Sequence, residues 1–227
     1  MVDSETQVAA VAALDEPTRR RLYDYVARQP LPVGRDQAVE ALGLPRTSVA
    51  FHLDRLTEQG LLEAVYERRG GRTGPGAGRP AKYYRRSPRE FAVSLPQRQY
   101  DLAGHLLATA LEAADDSGQS PRSALHRHAE QCGMELGQAA RSGDPDRDPR
   151  LAAWQVLETY GYEPRVTGGG TVFANCPFHR LARQHTELVC GMNLHLLEGL
   201  LTGLADTGLT ARLAPTPGYC CVRLEPS

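Results

Sequence analysis

Hydrophobic positions recur along this chain at two periods. In "DEPTRRRLYDYVARQ" Leu22, Tyr25 and Val26 fall on one helical face, with Asp15 placed to cap the helix and Pro17 in its first turn. "GRDQAVEALGL" predicts a short second helix ending in a turn at Gly43. "PRTSVAFHLDRLTEQG" predicts a third, closed by Gly60. Along that third helix Val49, Leu53 and Leu56 make the inner stripe, which leaves Thr47, Ser48, His52 and Arg55 outside. The period then changes. "LLEAVYERR" alternates as a strand, "GGRTGPGAG" is a glycine-rich tip, and "RPAKYYRRS" returns as a second strand. Helix, turn and helix followed by an arginine-rich hairpin predict a winged helix-turn-helix domain over residues 1–94.

Beyond it the helical period returns. "QRQYDLAGHLLATALEAADDSG" carries Leu102, Leu106 and Ala110 at helical spacing. "SPRSALHRHAEQCGMELGQAARSG" starts at Ser120 and Pro121 and stops at Gly143. His128 and Cys132, four apart, are neighbours on that helix, but two residues make a poor site, and Cys132 reads as a small buried residue. "SGDPDRDPR", residues 142–150, is a polar, proline-punctuated linker. The remainder predicts an α+β domain over 146–227: a helix at 150–160, strands "YEPRVT" and "TVFANC" around a "GGG" turn, further helices, then strands "LTARLAP" and "GYCCVRLE". A phosphate loop would place Lys-Ser or Lys-Thr directly after the glycines, and "GGGTVFAN" does not. The fold class expected for the whole chain is α+β.

Composition narrows the function classes. The chain has 227 residues, 41% of them hydrophobic and 23% charged, the balance of a globular protein. No apolar run has the length of a membrane span, and the first residues lack a basic stretch followed by an apolar core. The expected location is the cytoplasm, with no membrane partner. The net charge of −1 conceals an asymmetry. From Arg68 to Arg89 there are eight basic residues and no acid, and residues 1–95 carry 15 basic against 12 acidic groups. Arg68, Arg69, Arg72, Arg79 and Lys82 thus sit on the hairpin, where they would neutralise phosphates or enter a minor groove. A solvated basic loop without a partner is the alternative.

"LPRTSVAFHLDRLTEQGLLEAV" resembles the recognition helix and wing entry of the winged-helix regulators of the ArsR type. "GRPAKYYRRS" resembles the wing exit of a larger subgroup of them. The resemblance covers about residues 8–90. It implies that Arg46, Thr47, Ser48, His52 and Arg55 face double-stranded DNA, that the protein is a homodimer reading two half-sites, and that residues 95–145 form a helical dimerisation segment. Packing of that segment against the C-terminal domain is the alternative.

Cysteine usage raises a separate question. Five cysteines, an odd number without a secretion signal, argue for thiols or metal ligands over disulfides. "NCPFHRLARQHTELVC", residues 175–190, holds two of them and two histidines. Pro177 just inside a helix start makes Cys176 the expected cap residue, where a thiolate is favoured, with His179 one turn on. Cys190 falls on the side marked by Leu194, Leu197 and Leu201. Cys220 and Cys221 are read on a final strand, where one faces the site and the other faces away. Such soft ligands suit zinc or an iron–sulfur cluster.

This region resembles the iron–sulfur-biogenesis repressor (SufR-like) group. There a "CP" opens the first ligand helix, an "LC"-type cysteine closes the second segment, and a late cysteine completes the set. Cys176, Cys190 and Cys220 or Cys221 match in order, while "PFH" and the double cysteine depart from the pattern. The resemblance implies a C-terminal sensor holding an iron–sulfur cluster of the [4Fe-4S] kind, with zinc as the alternative and His179, then His185, as candidate fourth ligands. A metal-free thiol switch, unligated core cysteines and a Cys176–His179 enzyme also compete. The last lacks a third orienting residue, and the protein is not expected to be an enzyme. His195, among leucines, reads as a core histidine. The expectation is a dimeric, sequence-specific DNA-binding regulator whose operator affinity follows the state of these cysteines.

Overall fold

The computed structural model describes residues 4–68 and 80–227, and the chain divides into two units, Met1–Val93 and Ser94–Ser227. The first unit contains α1 (Ser4–Ala13), α2 (Pro17–Ala27), β1 (Val33–Gly34), α3 (Arg35–Leu42), α4 (Arg46–Glu58), β2 (Leu62–Glu67) and β3 (Ala81–Arg86). Neither α1 nor β1 was foreseen. The helix buries little beyond Ala10 and Ala13, so it shows no strong stripe, and β1 is only two residues long. The cap of α2 is Glu16, not Asp15. Its carboxylate accepts from Thr18 N at 2.9 Å and Arg19 N at 2.6 Å, because the residue directly before Pro17 is the one that faces the free N–H groups.

Val49, Leu53 and Leu56 of α4 are fully buried against Leu22 and Val26 of α2, Ala38 of α3, and Tyr84 of β3. Each large apolar side chain buried this way contributes about 1.5–3 kcal/mol relative to exposure. Gly43, at φ 63°, ends α3 in the left-handed region and turns the chain into α4. The strands form an antiparallel sheet in the order β1-β3-β2, with Leu62 opposite Arg86 and Glu67 opposite Ala81. A helix-turn-helix is therefore followed directly by a hairpin.

The second unit contains α5 (Tyr100–Ser117), α6 (Pro121–Gly143), α7 (Pro149–Thr159), β4 (Pro164–Thr167), β5 (Gly170–Phe173), α8 (His179–Gln184), α9 (Thr186–Leu204), β6 (Leu209–Leu213) and β7 (Val222–Pro226). Its sheet is antiparallel in the order β4-β5-β7-β6. Helix α9 is buried on most of its surface and packs against α6, α7, α8 and the β6–β7 side of the sheet.

The contact between α6 and α9 is backbone on backbone. A Cβ on Gly133 would lie 2.0 Å from the Leu196 carbonyl oxygen, and one on Gly137 2.4 Å from that of Leu200. In return, Cβ atoms on Gly199 and Gly203 would meet the carbonyl oxygens of Glu130 and Met134 at 1.9 and 2.2 Å. Helix α5 adds Ala103, Leu106 and Ala110 to the same core as Ala124, Leu125 and Ala129 of α6. The helices expected as a separate dimerisation segment are thus built into the second unit, because small residues let α6 close onto α9.

Candidate DNA-binding surface and cysteine cluster

Helix α4 presents Arg46, Thr47, Phe51 and Arg55 to solvent, with Ser48 half-buried beside them. Arg46 pairs with Asp36 at 2.6 Å and Arg55 with Glu58 at 3.1 Å, both on the open surface. His52 does not join this stripe. It lies one turn after Val49, and its side chain is only 13% exposed, with Nδ1 3.5 Å from Glu16 Oε2. Phe51 takes the outward place, 64% exposed, its ring edge-on to His52 at a centroid distance of 5.2 Å. Sequence reading missed Phe51 because an aromatic ring is first assigned to a core. The available signal was its spacing, four residues from both Thr47 and Arg55.

On the hairpin, Lys82 is placed differently from a free phosphate contact. Its Nζ lies 2.6 Å from Asp54 Oδ1 of α4, and the hydroxyl of Tyr84 donates to the same oxygen at 3.0 Å. Partial burial opposes ionisation of Asp54, yet these hydrogen bonds and the Lys82 charge hold its carboxyl below the usual range. Lys82 therefore ties β3 to the helix. Arg85 is paired with Glu63 on β2. Arg68 and Arg86 are exposed, while Arg69, Arg72 and Arg79 lie outside the described residues.

In the second unit four cysteines from three segments come together. Cys176 is in the loop after β5, Cys190 in the second turn of α9, and Cys220 and Cys221 in the turn before β7. Cys176 is not a helix cap, since α8 begins only at His179, whose N–H donates to the Cys176 carbonyl at 3.0 Å. The pair 220–221 is not on a strand, so strand alternation does not separate its side chains. Cys220 pairs with Cys176, and Cys221 with Cys190.

The Cys176 thiol is held below its ordinary range by the hydrogen bond from Cys220, helped by the Phe178 N–H and the Arg98 charge. Burial and the bond to Cys221 push Cys190 up to about 12. The Cys176 partnership and burial raise Cys220 as well. Cys132 lies apart, its thiol raised by burial.

His179 and His185 are both exposed, and neither is among the groups that shift these thiols. Among the described residues no group of three or more His, Cys, Asp or Glu side chains is set to hold a metal ion as the thiols now pair.

Polar groups fix this cluster. Asn193 of α9 is 1% exposed, donates to Cys220 Sγ at 3.4 Å, and accepts from the hydroxyl of buried Tyr162. Asn175 donates to the carbonyls of Gly161 at 2.6 Å and Gln97 at 3.2 Å. Arg98 donates to Asn175 and to the Cys176 carbonyl, and Gln99 N donates to the Pro177 carbonyl at 3.2 Å. His195 is half-buried rather than in the core, its ring tilted 37° to that of His126 with centroids 4.3 Å apart and its Nδ1 2.8 Å from Glu198 Oε2.

Residues 14–65 match the family described as Helix-turn-helix domain. The first unit carries a helix-turn-helix domain. The match spans α2, α3, α4 and the start of the hairpin, the elements that form the stripe described above, and it identifies a DNA-binding transcription regulator. No curated protein and no solved structure matches the chain. Among the described residues no helix is long and apolar enough to cross a membrane.

Proposed function

We propose that the protein is a cytoplasmic homodimer that binds a double-stranded DNA operator with an affinity set by the state of Cys176, Cys190, Cys220 and Cys221. One observation carries this reading. The Cys176 loop is hydrogen-bonded to residues 97–99, a few residues beyond Val93, where the DNA-binding unit ends. A change at the cysteines acts on the segment through which the chain leaves that unit. A few kcal/mol between two arrangements suffices to change operator affinity by orders of magnitude.

The donor set suits a soft metal centre: four cysteines, close to the Arg98 charge and the Asn193 amide. Cys176, Cys190, Cys220 and Cys221 would be its ligands, His179 would not, and the two thiol pairs would have to open and release their protons. The group would be an iron–sulfur cluster of the [4Fe-4S] kind, with zinc as the alternative. A bound cluster supplies a centre that oxidants can degrade.

The pairing of Cys176 with Cys220 and of Cys190 with Cys221 favours a second reading, a metal-free thiol switch in which a peroxide takes two electrons and two protons from each pair, being reduced to water or to water and an alcohol, and leaves two disulfides. Purification without oxygen, a visible spectrum, and iron, sulfide and zinc assays on one sample separate the readings. Equal operator affinity of the loaded, reduced and oxidised forms would overturn cysteine control in every version.

A further inference from the structure

We infer that Phe51 reads the 5-methyl group of a thymine in the major groove. The inference rests on α4 being the helix that enters the groove, and it adds a base specificity to that helix. Phe51 is 64% exposed on a helix whose other large apolar residues are fully buried, and it is not part of the first unit's core. Folding therefore does not account for it. It stands between Thr47 and Arg55, one turn from each, at the centre of the outward stripe.

The ring has a neighbour on its own helix: it lies edge-on at 69° to His52, whose side chain is mostly buried, 3.5 Å from Glu16, the cap of α2. A phenyl ring has no donor or acceptor, so it reads neither a phosphate nor the polar edge of a base. The apolar group that the major groove offers is the thymine methyl, which A·T pairs present and G·C pairs lack. A ring centred among groups able to bond phosphates or base edges fits that contact.

The test begins by recovering a duplex from a random-sequence pool with the full-length protein. Each thymine is then replaced in turn by deoxyuridine, which lacks only the methyl group. For the wild type, one thymine per half-site should be sensitive, uridine there weakening binding about fourfold, the equivalent of one buried methyl group. Phe51→Ala should bind the original duplex about tenfold more weakly and show no uridine penalty. Phe51→Leu should keep part of it. Melting temperature and affinity for an unrelated duplex should not change in either variant, as befits an exposed side chain.

The inference is overturned if the wild type tolerates uridine at every position, or if Phe51→Ala retains the penalty. Such a result would leave the ring as a contact for another protein. Failure of the underlying reading looks different: no duplex is enriched and Arg55→Ala leaves the salt dependence of binding unchanged. That outcome removes both.

Discussion

Arg98 donates from Nη1 to the carbonyl oxygen of Cys176 at 2.8 Å, and the same nitrogen reaches Asn175 Oδ1. The side chain that opens the second unit thus holds the backbone of a cysteine almost eighty residues away in sequence. It also holds Asn175, whose amide returns to the carbonyl of Gln97.

Arg98→Ala removes the donor to both groups: the Asn175 side-chain oxygen loses this partner, while the Cys176 carbonyl keeps only the His179 N–H. A cost of about 1–3 kcal/mol is expected, a fall of a few degrees in melting temperature. In metal-free protein the Cys176 thiol also loses a cation that favours its thiolate. Its alkylation by iodoacetamide at neutral pH should slow, while Cys132 keeps its rate. Operator binding should survive and its response to the state of the cysteines should not. Calorimetry, mass-spectrometric labelling and DNA titration check the three parts.

The α6–α9 contact should tolerate no side chain. Gly133→Ala or Gly199→Ala places a methyl group within about 2 Å of a backbone oxygen, and overpacking of this kind costs about 1–3 kcal/mol or more. Gly104→Ala is the contrast. Gly104 lies inside α5 with nothing within 4 Å of an added Cβ, so alanine should stabilise by about 0.5–1 kcal/mol. Denaturant titration of the three variants decides, and a harmless Gly133→Ala would contradict the packing.

Two basic residues of the DNA-binding unit should behave differently. Arg55 is about half exposed on the outward stripe. If it meets a phosphate, Arg55→Ala should lower the slope of log affinity against log salt by about 1. Lys82 is committed to Asp54, so Lys82→Ala should leave that slope nearly unchanged and lower the thermal stability of the unit. A full unit lost from the slope in Lys82→Ala would show that it contacts DNA.

His126 should make the second unit sensitive to acid. Its pKa is lowered by burial and by the charges of His195 and Arg122, its Nε2 is buried without a partner, and Glu198 faces it only through His195. Between the lowered folded value and the ordinary value of 6.5 the unfolded chain binds more protons. Stability therefore rises with pH through that window, is lost as the medium is acidified through it, and levels off below the folded value. His126→Gln should flatten the dependence just below the ordinary value of 6.5, measured by denaturant midpoints on either side of it.

Much of the first unit was legible in the sequence. The inner stripe Val49–Leu53–Leu56, the Gly43 turn and the strand alternation on either side of the basic tip are local patterns, because helix and strand periods are properties of consecutive residues. The outward stripe was legible only to within one position. Residues 51 and 52 are neighbours on the helix, and 52 falls beside the buried stripe, three after Val49 and four before Leu56, while 51 falls outside it. Asp54 and Lys82, far apart in the chain, find each other only through the α4–β3 packing.

The cysteine segment divides in the same way. By itself the sequence determined the residue types and their order: a cysteine after a short strand, another in an apolar helix, a pair near the end. Tertiary structure alone decided that Cys220 and Cys221 both join, because the strand begins at Val222 and the two precede it in a turn. It also decided that His179 and His185 face solvent and that Asn193 stands beside Cys220. The contact glycines of α6 and α9 do repeat at a spacing of four, Gly133 with Gly137 and Gly199 with Gly203, which puts each pair on one helix face, but that spacing does not name the partner. Their purpose exists only where two backbones meet, and sequence spacing within one helix contains no information about the other.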